Sequence, residues 1–189
     1  MRRILVGGIS GAGKTTLGRR LADHLALPFV EMDALFHGPG WVPRPQFVAD
    51  VDAATTGDAW VVDSHGYAQV RDLVWSRADT LVWLDLSRPV VMGRVLRRSF
   101  ARATYDRELW NHNTEGFADW LDPGHPVRWA WTQHSARRAQ IADRVADPRW
   151  AHVAVVRLDS PRAARRWLAA MPNAGPNAGP NQASSGPPL

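Results

Sequence analysis

The feature that most limits how this chain can fold is a glycine-rich loop between an apolar run and a leucine-periodic segment. Ile4-Leu5-Val6 leads into Gly8-Ile9-Ser10-Gly11-Ala12-Gly13-Lys14-Thr15, and leucines recur every four residues from Leu17 to Leu25. This order predicts a buried strand, a tight turn and a helix. In such a turn, successive backbone N–H groups and the positive end of the helix dipole face a phosphate group. The pattern therefore predicts a P-loop that holds the phosphates of a nucleoside triphosphate, ATP or GTP.

Two residue types in this loop have defined chemical roles. Lys14 offers a compact ammonium group that reaches the β- and γ-phosphates, and the Thr15 hydroxyl lies where Mg²⁺ binds. Lys14 is also the only lysine among 23 basic residues, and a planar guanidinium is broader than an ammonium group. The composition thus supports a phosphate-binding role for Lys14. We predict that the nucleotide contacts Gly8, Ser10, Gly11, Ala12, Gly13, Lys14, Thr15 and Thr16.

Five short apolar runs are spaced along the chain, with helical patterns between them. They are Ile4-Leu5-Val6, Phe29-Val30-Glu31-Met32, Trp60-Val61-Val62-Asp63, Leu81-Val82-Trp83-Leu84-Asp85 and Val153-Ala154-Val155-Val156-Arg157-Leu158. Apolar strands that alternate with helices are typical of a parallel sheet covered on both faces. We therefore predict a doubly wound α/β fold of the P-loop NTPase type with five parallel strands. Residues 99–149 fit no strand and are predicted to form a helical lid or insertion between strands four and five.

The length and composition indicate one domain. We place it at residues 1–170, because residues 171–189 are rich in Pro, Gly and Asn, lack charged and aromatic residues, and predict a disordered tail. No apolar stretch approaches the roughly 20 residues that a membrane span needs, and the N-terminus has no signal-peptide core. We expect a soluble, cytoplasmic protein with no membrane partner.

The net charge of +5 leaves two explanations open. A basic surface attracts nucleic acid or anionic metabolites, whereas a general preference for arginine over lysine gives the same charge without any partner. The absence of cysteine excludes disulfides, thiol nucleophiles and a cysteine-ligated zinc site.

Three aspartates stand at the ends of apolar runs: Asp33, Asp63 and Asp85. Ligands bind outside the carboxyl ends of parallel strands, so each is a candidate site residue. Asp63 is the favoured partner of Mg²⁺, directly or through water, whereas Asp85 either serves the metal or caps the next helix. Asp33 either accepts a proton from an acceptor hydroxyl, or orients that acceptor, or caps a helix, and it could combine these roles. Glu31 would share its side of an extended strand.

Arginines are concentrated after the fourth predicted strand. Arg94, Arg98 and Arg102 recur every four residues and share one helical face, with Arg97 and Arg107 nearby. Guanidinium groups suit a transferring phosphoryl group whose charge is spread over several oxygens. We predict that Arg94, Arg98 and Arg102 act on the phosphates during catalysis; a solvated basic face is the alternative.

A turn-rich loop, His37-Gly38-Pro39-Gly40-Trp41-Val42-Pro43-Arg44-Pro45, precedes the third predicted strand. We expect it to cover the acceptor, with Trp41 stacking on a ring and Arg44 binding an anionic group; an exposed structural loop is the alternative.

Residues 1 to about 168 resemble the adenylate-kinase-like P-loop proteins known as DNA topology modulation proteins, a group of small kinases. The shared motifs, besides the P-loop and residues 38–45, are Met32-Asp33-Ala34-Leu35, Val70-Arg71-Asp72-Leu73-Val74-Trp75, Arg77-Ala78-Asp79-Thr80 and Glu108-Leu109-Trp110-Asn111. The resemblance implies strand order 2-3-1-4-5 with a helical lid. Similarity to adenylate kinases implies that Arg94 lies against adenine and Arg98 against the phosphates. The chain departs from the family after Asp63, where Ser64-His65-Gly66-Tyr67 replaces Gly-Asn-Tyr.

Two functions follow from these residues. The first is a kinase that moves the γ-phosphoryl group of Mg-ATP to a small acceptor, with Lys14 and Asp33 at the reacting groups and with Thr15 and Asp63 at Mg²⁺. The second is a regulatory ATP-binding protein or ATPase that acts on nucleic acid through its arginine-rich insertion. The sequence favours the kinase.

Overall fold

The apolar runs form one parallel sheet in the computed structural model, which describes residues 1–105 and 126–172, with side chains described for residues 1–98 and 131–172. The strand order is β2-β3-β1-β4-β5. The strands are β1 (Arg3–Gly8), β2 (Phe29–Val30), β3 (Trp60–Val62), β4 (Thr80–Leu84) and β5 (Ala154–Leu158). The predicted fold class and strand order 2-3-1-4-5 are thereby confirmed.

Helices cover both faces of the sheet. They are α1 (Lys14–Leu25), α2 (Met32–Phe36), α3 (Phe47–Thr55), α4 (Arg71–Arg77), α5 (Arg88–Tyr105), α6 (Pro126–Ala146) and α7 (Pro161–Ala169), with short 3₁₀ turns at Pro39–Trp41 and Pro148–Trp150. Ile4 and Val6 pack into the cluster that includes α1, α5 and α7, whereas Leu5 packs into the cluster that includes α3, α4 and α6. The two-residue period of a strand explains why neighbouring residues of β1 serve opposite faces.

One predicted strand is shorter than expected. The run Phe29-Val30-Glu31-Met32 is extended only over Phe29–Val30, and α2 begins at Met32 with Glu31 as its N-terminal cap residue. The Asp63 carboxylate accepts a hydrogen bond from the backbone N–H of Met32 at 2.9 Å, which stabilises the start of the helix there. The predictions that Glu31 and Asp33 share a face of a strand, and that Asp33 caps a helix, are therefore wrong: Asp33 lies inside the first turn of α2.

The described parts of the insertion are helical. They are the end of α5, the whole of α6 and the turn at Pro148–Trp150, and residues 106–125 lie outside the described residues together with Trp110 and Trp120. The predicted tail lies almost entirely outside them as well, because the description ends at Pro172. Within the described ranges, no helix combines the length and the apolar character that crossing a bilayer requires.

Asp85 joins the insertion to the sheet. Its buried carboxylate accepts hydrogen bonds from Arg138 Nε of α6 at 2.7 Å and from Arg157 Nε of β5 at 2.8 Å. Burial alone would raise the pKa of Asp85, but the hydrogen bonds from the two arginines outweigh it and hold the pKa below its ordinary value. The alternative roles predicted for Asp85, a metal-side acid or a helix cap, are not what the structure shows, because both oxygens are committed to arginines.

Replacing Asp85 with Asn should lower the free energy of unfolding at neutral pH by about 1–3 kcal/mol, since two guanidinium groups lose their shared anion. The pKa of Asp85 is lower in the folded protein than in the unfolded chain, so its stabilisation is present above the ordinary value of 3.8 and is lost as the pH falls through the folded value. Urea unfolding between about pH 3 and pH 7 should therefore show a smaller pH dependence for Asp85→Asn.

The matched control is Asp52→Asn, which breaks an ion pair between Asp52 and Arg77. The Asp52 side chain is 54% exposed. Exposed ion pairs contribute little to stability, so the free energy of unfolding of this variant should be within about 0.5 kcal/mol of the wild-type value. Equal effects of the two substitutions would contradict an anchoring role for Asp85.

Candidate active site

The P-loop connects β1 to α1 at the carboxyl edge of the sheet. A turn is closed by the Ala12 backbone N–H, which donates to the Ile9 carbonyl at 3.1 Å. Gly13 precedes α1 in a left-handed conformation, and no side chain caps the helix. The first backbone N–H groups of α1 are therefore available to bind an anion.

Gly11 is where the loop meets the arginine-bearing helix. Its φ is +82°, and a Cβ atom added there would lie 2.2 Å from Cγ2 of the buried Val95 of α5. Gly11→Ala should lower the melting temperature and weaken ATP binding at least about tenfold, because the loop must move away from α5. Thermal unfolding and titration calorimetry measure these two effects.

Gly93→Ala is the control for this change. Gly93 also lies on α5, and an added Cβ there meets no atom within 4 Å. Alanine is the better helix former, so this variant should melt at the same or a higher temperature. A Gly11→Ala protein that behaves like Gly93→Ala would contradict the close approach of the loop to α5.

Lys14 lies over the loop, with its Nζ 3.4 Å from the Ile9 carbonyl oxygen. Burial lowers the pKa of Lys14, while the negative charges of Asp33 and Asp63 oppose that shift. The ammonium group therefore stands between a phosphate-binding loop and two carboxylates.

Asp63 links the loop to α2. Its Oδ2 accepts a hydrogen bond from the Thr15 hydroxyl at 2.6 Å, and its Oδ1 accepts the bond from the Met32 N–H. Burial raises the pKa of Asp63 above its ordinary value, and these two hydrogen bonds oppose only part of that shift. A hydroxyl and a carboxylate at this distance fit Mg²⁺, which takes oxygen ligands and completes its shell with phosphate oxygens and water. Thr15 and Asp63 are thus the residues that would hold the metal.

Asp33 faces the loop from α2. Its Oδ1 accepts a hydrogen bond of 2.7 Å from the Tyr67 hydroxyl. Asp33 and Glu31 line the same cavity of about 530 Å³ as the P-loop. Residues predicted to bind the nucleotide line it too: Ser10, Gly11, Ala12, Gly13, Lys14, Thr15 and Thr16. Gly8 is buried below the loop.

The arginines of α5 close another side of this cavity. Arg94 Nη1 donates to the Ala12 carbonyl at 2.7 Å, and Arg97 and Arg98 also line the cavity. Burial lowers the pKa of Arg94, and the charges of Arg97 and Arg165 add to that shift. Arg102 belongs to α5, but its side chain lies outside the described residues, as does the whole of Arg107. The face shared by Arg94 and Arg98 therefore turns toward the loop.

The turn-rich loop at residues 37–45 is held by its own backbone. Gly38 N–H donates to the Val42 carbonyl at 2.7 Å, and the Arg44 N–H donates to the Phe36 carbonyl at 2.8 Å. The Arg44 guanidinium pairs with Asp50 at 2.9 Å, and Trp41 is 38% exposed with its ring edge near His37. Neither Trp41 nor Arg44 lines the cavity beside the P-loop.

Several residues near the site were not found by sequence reasoning. Tyr67 is one, and α7 is another, because Pro161, Ala164, Arg165 and Leu168 line the cavity. His65 is a third: burial, with the nearby charges of Lys14 and Arg71, lowers its pKa to about 3, so it is neutral. All three follow the carboxyl ends of β3 or β5, so the strand-end rule applied to the aspartates would have found them.

This sheet order, with a P-loop after β1 and arginines after β4, defines a protein of the P-loop kinase fold class. The family model of shikimate kinase matches residues 10–48, from the P-loop to the first residues of α3. Shikimate kinases of Rhodopseudomonas palustris and Bradyrhizobium diazoefficiens are 28% and 30% identical over 115 and 114 residues. These alignments cover 52% of this chain and 56% and 55% of the relatives, so the chain spans about half the length of the curated relatives it matches.

A solved structure agrees with this fold class. The structure of the shikimate kinase from Acinetobacter baumannii in complex with shikimate has a TM-score of 0.53 and 19% sequence identity to this chain. The superposition covers 89% of both chains. At this identity the likeness establishes the fold.

Proposed function

We propose that this protein is an ATP-dependent kinase that moves the γ-phosphoryl group of Mg-ATP to a hydroxyl group of a small acceptor. One observation carries the proposal: a single cavity is lined by the P-loop with Lys14, by the carboxylate of Asp33 and by the arginines of α5. Phosphoryl transfer needs a phosphate cradle, a group that accepts the proton of the nucleophile, and cations for the developing charge. A binding protein without transfer chemistry would not need Asp33 at that place.

Each residue has a defined part in this proposal. Lys14 binds the β- and γ-phosphates, and Thr15 and Asp63 hold Mg²⁺, which neutralises phosphate charge when it is bound. Asp33 accepts the proton of the acceptor hydroxyl. Arg94, Arg98 and Arg102 of α5 stabilise the charge of the transferred group.

Shikimate is the first acceptor to test. The family match spans residues 10–48, so it includes Lys14, Thr15 and Asp33 and ends before Asp63. The relatives that the sequence matches are shikimate kinases, although each aligns over about half of its length. The segment that matches the family model thus contains most of the P-loop and the proposed proton acceptor, Asp33.

The test is a transfer assay with Mg-ATP and a panel of hydroxyl compounds: shikimate, gluconate, deoxyadenosine and nucleoside monophosphates. Mass spectrometry should detect one phosphorylated product that is absent from reactions with Lys14→Ala. If the panel gives no product, a small-metabolite extract replaces it. A protein that binds Mg-ATP yet phosphorylates nothing in either mixture would contradict the kinase.

A role on nucleic acid has less support than phosphoryl transfer. Three arginines of the described insertion are engaged with carboxylates: Arg138 with Asp85, Arg144 with Asp72 and Arg149 with Asp147. DNA binding that falls steeply with added salt would favour the regulatory alternative.

We also propose that, among P-loop kinases, the chain lies with the DNA topology modulation proteins. The supporting motifs belong to two helices: residues 32–35 form most of α2, from which Asp33 lines the cavity, and residues 71–75 form most of α4. As a kinase using ATP, it would act in the cytoplasm. Purified protein should leave supercoiled plasmid unrelaxed, as expected of a small-molecule kinase, and ATP-dependent relaxation would favour the regulatory alternative on nucleic acid.

A further inference from the structure

Tyr67 lies beside Asp33, with its hydroxyl aimed at the carboxylate. The Tyr67 Oη donates to Asp33 Oδ1 at 2.7 Å, although the residues are 34 positions apart in the chain. Burial raises the pKa of Tyr67, and the negative charge of Asp33 raises it further. The phenol therefore stays protonated at neutral pH and acts as a permanent hydrogen-bond donor.

The Tyr67 ring packs in a cluster with Phe36 and Phe47. It stacks on Phe36 with the ring centroids 4.1 Å apart, and it lies nearly perpendicular to the Phe47 ring with the centroids 5.4 Å apart. This packing fixes the plane of the phenol and hence the direction of its hydroxyl.

The turn before Tyr67 is equally constrained. Gly66 has a φ of +93°, and a Cβ atom added there would lie 2.7 Å from the Arg71 Cα. The Gly66 N–H donates to the Ser64 hydroxyl at 3.0 Å, and Arg71 Nε donates to the Gly66 carbonyl at 3.1 Å. Both Tyr67 and its backbone are thus positioned before any substrate binds.

We propose that Tyr67 is a positioning residue for phosphoryl transfer, because it binds Oδ1 of Asp33 and leaves Oδ2 to receive the proton of the acceptor. Within the described residues, the hydrogen bond to the Asp33 carboxylate comes from Tyr67 and goes to Oδ1. The inference rests on the proposed kinase function, in which Asp33 is the proton acceptor.

The step is balanced as follows. The acceptor oxygen forms a bond to the γ-phosphorus, while the bond from that phosphorus to the β,γ-bridging oxygen breaks and ADP leaves. The hydroxyl proton passes to Asp33 Oδ2. The hydrogen bond from Tyr67 stays on Oδ1 and keeps the carboxylate from rotating.

Tyr67→Phe tests this inference, because it removes the hydroxyl and keeps the ring that packs on Phe36. With Mg-ATP and shikimate, or the first acceptor that the panel detects, kcat should fall about 10- to 100-fold. Calorimetric affinity for ATP should stay within about twofold, since the P-loop is untouched.

A double-substitution cycle is the control. In an Asp33→Asn background, Tyr67→Phe should cause almost no further loss of kcat, because the carboxylate that it positions is gone. The inference is overturned if Tyr67→Phe keeps the wild-type kcat, if it lowers ATP affinity as much as kcat, or if its effect persists in Asp33→Asn. A wild-type protein that transfers no phosphate would sink the proposed function as well.

The contact itself has a readout that needs no activity. The chain has two tyrosines, so tyrosinate absorbance can be followed between about pH 8 and pH 12. Tyr67 should resist ionisation in the wild type and ionise at lower pH in Asp33→Asn, since the charge that raises its pKa is removed. Ionisation of Tyr67 at the same pH in both proteins would also overturn the inference.

Discussion

Lys14→Ala should abolish the binding of ATP measured by isothermal titration calorimetry, with a loss of affinity of at least about 100-fold. The ammonium lies over the loop at 3.4 Å from the Ile9 carbonyl, where it is placed to cross to the β- and γ-phosphates. Lys14→Arg keeps the charge but adds a broader group, so it should also bind poorly.

Arg2→Ala controls for net charge. Arg2 is exposed and precedes β1, at the amino edge of the sheet and away from the loop. Its removal should leave ATP affinity within about twofold, since exposed charges at that distance are largely screened by salt. Unchanged affinity in Lys14→Ala would remove the basis for a nucleotide site, and with it the proposed kinase.

Asp33→Asn should lower kcat by about 10²- to 10⁴-fold while ATP affinity changes only a few-fold. The amide keeps the shape of the carboxylate and still accepts the hydrogen bond from Tyr67, but it takes up no proton. Steady-state kinetics with Mg-ATP and the acceptor found in the transfer assay measure kcat, and calorimetry measures affinity.

Glu31→Gln is the matched control, because Glu31 lines the same cavity two residues away. Glu31 pairs with Arg19, which commits it to a structural contact. The loss of kcat in Glu31→Gln should be at least tenfold smaller than the loss in Asp33→Asn. Parallel losses of kcat and ATP affinity in Asp33→Asn would show instead that Asp33 only stabilises α2.

The sheet could be predicted because its information is local. Each strand is a short apolar run, and the segments between runs have helical spacing, so the order of elements follows from periodicity alone. The parallel arrangement followed from alternation of strands and helices. The order 2-3-1-4-5 came from the family resemblance.

The errors have long-range causes. The end of β2 is set by Asp63, which accepts the Met32 N–H across 31 residues. The role of Asp85 depends on Arg138 and Arg157, which are 53 and 72 residues away. No local pattern contains such pairings, so the end of β2 and the role of Asp85 were predicted wrongly.

The candidate site was partly predictable, because some of its residues lie in local motifs and others are joined only by long-range contacts. The P-loop is a contiguous motif, and the strand-end rule selected Asp33 and Asp63, which the structure brings beside Lys14. Tyr67 could not be connected to Asp33 from spacing, because their contact depends on how α2 packs against the segment after β3.

The double contact of Asp63 limits how this protein can be redesigned. One carboxylate serves the loop through Thr15 and the start of α2 through Met32. Replacing Asp63 would disturb both contacts at once. A library that varies acceptor choice should therefore keep position 63 constant, together with Gly66, whose conformation excludes a side chain, and Tyr67, which binds Asp33.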